Sequence, residues 1–176
     1  MAFKLVDNIL QSDPRFAELC IVENGVTRCM TLADHHALLA GISLTEQVPK
    51  EIHAAFDRAR NALIYAFFDY DLLVVGEVQA AGAFELALKL RLNGSGGTAS
   101  GGLRNLVERA RKKGILPPRA SGTPELSDPI LAIIHLRNGL SHGTSDVHSP
   151  RMALDLIEAC ASWINHVYSP QPGTAG

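Results

Sequence analysis

Aromatic residues, cysteines and an excess of charge of either sign are all scarce in this sequence. Only 6% of its 176 residues are aromatic, which disfavours a sheet-rich fold, because strands favour aromatic and β-branched side chains. Its three cysteines are too few and wrongly spaced for a disulfide scaffold or a four-ligand zinc site. Lysine and arginine number 16 against 18 acidic residues, so any binding of nucleic acid must be local.

A long uninterrupted apolar run is also missing. Residues 1–10 have no apolar stretch long enough for a signal peptide. The most apolar stretch, 72–92, is interrupted by charged residues such as Glu77 and Lys89, which would be costly inside a bilayer. We therefore expect a cytoplasmic protein that makes no membrane contact, with 72–92 as a buried core helix. Hydrophobic residues make up 47% of the chain, enough for one substantial core.

The first 48 residues predict a small appendage with a β-hairpin and a short helix. Two β-prone runs flank Asn24-Gly25, a strong signal for a two-residue hairpin turn. With that turn Cys20 lies opposite Cys29, and the two thiols form either a reversible disulfide or a pair of small buried side chains. Thr31, with an acid three residues later, predicts the start of the short helix.

Residues 49–168 predict an all-α fold, an up-and-down helical bundle of four to five helices. From residue 50 onward apolar residues recur at steps of three and four, the period of amphipathic helices. A glycine-rich stretch at 93–102 predicts a mobile loop. Pro129 and Pro150 each follow a capping residue and predict helix starts. Residues 169–176 are expected to form a disordered tail.

One segment late in the chain combines residue types that suit phosphate chemistry. It runs from Leu136 to Gly143 and contains Arg137, Asn138 and His142. An arginine followed directly by asparagine, with histidine five positions after the arginine, is expected by chance roughly 0.02 times in a chain of this composition. The segment is therefore the first candidate for a functional site.

This octapeptide, L-R-N-x-x-x-H-G, resembles the signature of the HEPN superfamily of higher-eukaryote and prokaryote nucleotide-binding domains. The helical pair before it, joined through Phe68-Asp69-Tyr70-Asp71, looks like that of one uncharacterised bacterial branch, so the resemblance covers roughly 48–168. It implies a homodimer with the motif at the interface. It also implies a metal-independent ribonuclease of toxin–antitoxin, phage-defence or RNA-processing systems, with an antitoxin protein as a partner in the first case. Other members of the superfamily have lost catalysis and only bind.

The chemistry of the three side chains agrees with a ribonuclease. RNA supplies its own nucleophile, the 2′-hydroxyl, so cleavage needs a proton acceptor, a proton donor and a group that holds the charge of the phosphate. His142 can move protons at neutral pH, Arg137 can hold the phosphate, and Asn138 can orient the arginine or a phosphate oxygen. The expected products are a 2′,3′-cyclic phosphate and a 5′-hydroxyl, and we expect no metal and no cofactor.

The spacing within the motif leaves its geometry open. On an unbroken helix Arg137 and His142 would point about 140° apart. Either Gly139 loosens or ends the helix, so that both side chains face one cleft, or the pair acts across a dimer groove with its symmetry copy. A purely structural alternative is that Arg137 caps carbonyl groups at a helix end and His142 forms the exit turn.

Supporting residues are predicted elsewhere in the bundle. Eight of the 16 cations lie within 89–119, which indicates either a positive patch for RNA phosphates or a solvated helix end. The predicted RNA-binding members are Arg104, Arg109, Arg111, Lys112 and Lys113. Glu77 is predicted to pair with Arg137 or another cation, the alternative being a partly exposed helix face. His35 and His36 are adjacent on a helix and are expected at the surface.

Two functions follow from these observations. The first is a dimeric, metal-independent endoribonuclease of HEPN type with Arg137, Asn138 and His142 as catalytic residues. The second is a catalytically silent helical module that binds a nucleotide, an RNA or a protein. The acidic balance of the whole chain favours the second, because it is poor for general RNA affinity.

Overall fold

The computed structural model describes residues 3–94, 100–119, 122, 124, 127–141 and 147–170. Parts of the predicted loop at 93–102 and most of the predicted tail at 169–176 lie outside the described residues, as does His142. A short 3-10 helix at Val6–Asn8 precedes the first α-helix. The elements that follow are α1 (Pro14–Ala17), β1 (Cys20–Glu23), β2 (Val26–Cys29), α2 (Leu32–Ala40), α3 (Lys50–Tyr65), α4 (Leu72–Asn93), α5 (Leu103–Lys112), α6 (Pro129–Ser141) and α7 (Pro150–Tyr168).

The predicted hairpin is confirmed, including its register. β1 and β2 pair antiparallel with Cys20 opposite Cys29. Asn24 and Gly25 have φ angles of 51° and 78°, the two left-handed conformations that a type I′ turn requires. Both cysteines are free and exposed, so the expectation of buried thiols was wrong. A two-stranded ribbon packs only one of its faces on the protein, and the cysteines lie on the other face.

The all-α bundle is confirmed, with α4 at its centre. α4 packs against α3, α5, α6 and α7, and ten of its residues are buried, as expected for a helix that is apolar on most of its circumference. Gly76 lets α3 approach closely, since a Cβ at this position would lie 2.5 Å from the Leu63 side chain. Within the described residues no helix is long and apolar enough to cross a bilayer.

The N-terminal segment packs directly onto the bundle. Phe16 and Leu39 belong to the same core cluster as the bundle helices. His35 is also buried, and its Nε2 lies 2.7 Å from the carbonyl oxygen of Leu63 on α3. The prediction of a surface position for His35 was therefore wrong, because α2 turns this side chain toward α3. The Leu63 carbonyl contacts one ring nitrogen, and the other, Nδ1, has no hydrogen-bond partner among the described residues. Burial lowers the pKa of His35.

Three helix starts confirm the sequence signals. Thr31 and Asp34 form a reciprocal capping box at α2. The carboxylate of Asp128 accepts hydrogen bonds from the first-turn amides of α6, and the Ser149 hydroxyl accepts one from the Met152 amide in α7. Each cap satisfies amides that have no partner within their helix.

Gly139 does not end α6, which continues to Ser141. The alternative in which this glycine ends the helix was thus wrong. A mid-helix glycine costs only about 1 kcal/mol, and Leu140, which follows it, is buried at 7% exposure. Burial of that side chain offsets the cost and keeps the last turn helical.

Candidate functional site

Arg137 and Asn138 lie in the last turns of α6, where its buried face meets the surface. Ile130, Ile133 and Ile134 anchor the helix in the core. Arg137 and Asn138 follow them and are half-buried. The helix therefore holds these two side chains beside the core, at a surface that a ligand can reach.

The guanidinium of Arg137 is held by two neighbours. Its Nη1 donates a hydrogen bond to Oδ1 of Asn138 at 3.1 Å, and its Nη2 lies 3.8 Å from Oε2 of Glu85 on α4. Glu85 has a closer partner in Lys89, whose Nζ lies 2.6 Å from Oε1. Because 3.8 Å is beyond hydrogen-bond distance, the link between Arg137 and Glu85 is a loose ion pair.

Arg137 and Asn138 border a depression of about 160 Å³. Its lining residues are Gly102, Leu103, Arg104, Asn105, Ile134, Arg137 and Asn138. The depression therefore suits a small polar group more than a large apolar one.

The start of α5 forms the other side of this depression. Its N-cap residue is Gly102, which has no side chain to cap the helix. The first intrahelical hydrogen bond from this end runs from the Leu106 amide to the Gly102 carbonyl, so the amides of the three preceding residues have no partner within the helix. Amides at a helix start favour an anion, and Arg137 adds a full positive charge next to them.

The five predicted RNA-binding residues do not form one patch. Arg104 lies at the start of α5 and borders the depression, whereas Lys112 and Lys113 are exposed at its other end, about 12 Å away at 1.5 Å per residue. Arg109 is half-buried between them. The structure thus brings only Arg104 next to Arg137 and Asn138.

Arg111 faces inward and is bound to α6. Its Nη2 donates to both carboxylate oxygens of Asp128, at 2.8 and 2.7 Å. The side chains are only 13% and 7% exposed. The pair joins the last turn of α5 to the cap of α6, so Arg111 supports the site's framework and does not face solvent as a phosphate ligand would.

Glu77 does not pair with Arg137. It is fully buried, and its Oε1 lies 2.6 Å from Nδ1 of His148. The other oxygen, Oε2, has no hydrogen-bond partner among the described residues. Burial raises the pKa of Glu77, and the hydrogen bond with His148 opposes that shift. Of the predicted partners, Arg137 is not the one that Glu77 contacts, and the alternative of a partly exposed helix face was wrong. Glu77 joins α4 to the segment before α7.

Glu85 and His148 are the two neighbours that sequence reasoning missed. Glu85 lies four residues, about one helical turn, before Lys89, and this spacing indicates an ion pair along α4. The spacing does not indicate a contact with Arg137. His148 precedes the cap of α7 and carries no signal of burial. Both contacts join residues that are far apart in the chain, so only packing reveals them.

His142 lies outside the described residues, so its convergence with Arg137 and Asn138 stays a prediction. Within the described residues no group of three or more histidine, cysteine or acidic side chains could hold a metal ion. The comparisons with known proteins found no matching family model, no similar curated protein and no matching solved structure. The HEPN resemblance therefore rests on the motif and on the helical pair before it.

Proposed function

We propose that this protein is a metal-independent endoribonuclease of HEPN type, acting in a toxin–antitoxin or phage-defence setting. One observation carries the proposal: Arg137 and Asn138 are hydrogen-bonded to each other and share a small depression with the start of α5, whose N-cap residue is a glycine. A guanidinium, a carboxamide and a set of helix-start amides are the groups that bind a phosphodiester and stabilise the charge it gains in the transition state.

In this proposal each residue of the motif has a separate role. Arg137 binds the non-bridging oxygens of the scissile phosphate through its planar guanidinium, and the hydrogen bond to Asn138 orients that group. The amides that begin α5 bind the same group from the opposite side. His142, with an ordinary pKa of about 6.5, transfers protons between the 2′-hydroxyl, the solvent and the leaving 5′-oxygen. Attack of the 2′-oxygen on phosphorus forms the 2′,3′-cyclic phosphate and releases the 5′-hydroxyl.

A second copy of the chain is part of the proposal. The solvent-facing side of α4 is apolar or small at Val75, Gly82 and Leu90, of which Val75 and Leu90 are 46% and 37% exposed. Apart from its chain neighbours and its own helix backbone, no atom of the described residues lies within 4 Å of a Cβ built at Gly82, so this face is open to a partner helix. Since Glu85 lies on the same helix and contacts Arg137, a dimer on this face brings two motifs near one groove.

The test is cleavage of an RNA labelled at one end in excess EDTA. We expect the native chain to produce fragments that end in 2′,3′-cyclic phosphate, and Arg137→Ala and His142→Ala to lower the rate at least about a hundredfold. Arg151→Ala is the matched control, because Arg151 is an exposed α7 residue bound only to Asp155 among its described contacts. A substrate with 2′-deoxyribose at the cleaved position should resist. Cleavage of that substrate at an equal rate would overturn the mechanism.

The second candidate function, binding without cleavage, has one observation in its favour. Glu85 places a carboxylate between Lys89 and Arg137, which lowers the positive potential that an RNA phosphate meets. If the purified chain binds labelled RNA in the same assay and leaves it intact, the silent module is the correct function.

A further inference from the structure

The hairpin presents two thiols on one open face. Cys20 and Cys29 lie opposite each other in the β1–β2 ladder, and both are exposed. The other face of the ribbon is anchored, since Ile21 and Arg28 are half-buried and Arg28 forms two hydrogen bonds with Asp34 of α2. The anchor keeps the ribbon in place and leaves its thiol face accessible to small molecules.

The hydrogen bonds of the ladder identify which kind of pair the cysteines form. The Met30 amide donates to the Leu19 carbonyl at 2.8 Å. Leu19 and Met30, the pair next to Cys20 and Cys29 on the side away from the turn, are therefore a hydrogen-bonded pair. Hydrogen-bonded and non-hydrogen-bonded pairs alternate along an antiparallel ladder. Cys20 and Cys29 therefore form a non-hydrogen-bonded pair, in which opposite side chains approach most closely.

This geometry matches what a disulfide needs. The Cα atoms of a non-hydrogen-bonded pair are about 4.5 Å apart, within the range of about 4.4 to 6.8 Å found for disulfides. Closing the bond needs rotation of the two side chains and no change of strand register. The turn at Asn24 and Gly25 brings the two thiols together when the hairpin folds. Forming the disulfide therefore adds little further entropy loss from closing the loop between them.

We propose that Cys20 and Cys29 form a dithiol site for reversible exchange with low-molecular-weight disulfides of the oxidised glutathione type. One cysteine thiolate attacks the disulfide, forms a mixed disulfide and releases one thiol molecule. The second cysteine then attacks the sulfur of the first and releases the other thiol molecule. Two cysteine thiols and one disulfide become one protein disulfide and two free thiols, so atoms and electrons balance.

The third cysteine serves as an internal reference. Cys160 is buried in the core of α7, and burial raises the pKa of its thiol to about 12. Exchange requires the thiolate and access to it, so Cys160 does not react while the protein is folded. Any chemistry seen under native conditions therefore belongs to the hairpin.

The experiment exposes the native chain to a series of glutathione buffers and measures its mass after acid quenching. We expect a loss of two hydrogens, no lasting glutathione adduct, and protection of both hairpin cysteines from an alkylating reagent. Cys20→Ser should instead carry one glutathione on Cys29. The disulfide should form at a fraction of oxidised glutathione at least about tenfold lower than that adduct needs, because its second step is intramolecular.

A variant with the same number of exposed thiols tests the register itself. Thr27→Cys combined with Cys29→Ser keeps both thiols on the open face but sets them diagonally, at about 7–8 Å between Cα atoms. This distance exceeds what a disulfide spans, so we expect two glutathione adducts and no bridge. Adducts on the native chain, a covalent dimer, or a bridge in the diagonal variant that forms equally readily would each overturn the proposal.

Discussion

The two ends of α6 each carry an arginine–carboxylate pair, and the two pairs differ in the distance between the charged groups and in the burial of the side chains. At the start, Arg111 reaches both oxygens of Asp128 at 2.8 and 2.7 Å, and both side chains are nearly buried. At the end, Arg137 lies 3.8 Å from Glu85, its side chain is 35% exposed, and Glu85 has a closer partner in Lys89.

This difference separates a framework arginine from a candidate ligand-binding one. Arg111 is mostly buried and donates two hydrogen bonds to Asp128. It cannot leave this carboxylate without leaving a buried charge unpaired. A half-exposed guanidinium with a loose partner can exchange that partner for a phosphate at little cost. The clustering of cations in the sequence does not distinguish the two cases, whereas the distances and burial do.

The largest contrast is expected in stability. Arg111→Ala should lower the free energy of unfolding by about 3 kcal/mol, because it leaves the Asp128 carboxylate buried without its partner. Arg137→Ala should change it by less than about 1 kcal/mol, as for other exposed pairs. Urea unfolding of the two variants measures both values. Equal losses in the two variants would remove the distinction between the ends of α6.

Two buried carboxylates, Asp128 and Glu77, should give the stability of the fold opposite dependences on pH. Burial alone would raise the pKa of Asp128, but the Leu131 amide and Arg111 outweigh it and hold the pKa below its ordinary value. This carboxylate therefore stabilises the fold above pH 3.8, and the contribution is lost as pH falls through the native pKa.

Glu77 should behave in the reverse way. Burial raises its pKa above 4.5, so the folded protein holds a proton that the unfolded chain releases, and stability is lost as pH rises from 4.5 through the native pKa. Glu77→Gln should remove this loss. Urea midpoints of the native chain and the variant, compared from pH 4 upward, measure it. Parallel profiles would show that Glu77 is not proton-linked to folding.

The smallest effect is expected at the loose pair itself. Glu85→Gln removes the carboxylate beside Arg137, so the apparent affinity for RNA should rise by a few-fold at low salt, and the gain should shrink as salt increases. Asp155→Asn is the matched control, since it removes an exposed carboxylate bound to an arginine on α7. RNA titrations at two salt concentrations make the comparison. An equal gain in both variants would indicate a general charge effect.

Much of the fold was predictable because it depends on neighbours in the chain. Asn24 and Gly25 supply the two left-handed residues of the hairpin turn, and Thr31 with Asp34 supplies the cap of α2. Arg137 and Asn138 were also identified from the sequence, and they do share one depression. The sequence left open whether Gly139 ends α6, since a local cost of about 1 kcal/mol does not decide it without knowledge of the burial of Leu140.

The missed contacts have a common cause. His35 with Leu63, Glu77 with His148 and Arg137 with Glu85 each join residues on different elements. The identity of such partners depends on helix rotation and on the distance between helix axes, which side-chain packing determines across the whole core. A polar residue in an apolar helix is visible in the sequence, but its partner is not.

The amino-acid sequence by itself determined the hairpin turn, the starts of α2, α6 and α7, which cysteines oppose each other, and that α4 is the buried centre. These outcomes follow from backbone chemistry and apolar periodicity, which act over a few residues. Only the tertiary structure decided that Arg111 is mostly buried against Asp128, that Arg137 stays accessible beside the start of α5, and that Glu77 is buried with a histidine. Those outcomes depend on how separate helices exclude water from one another, and no local pattern encodes that geometry.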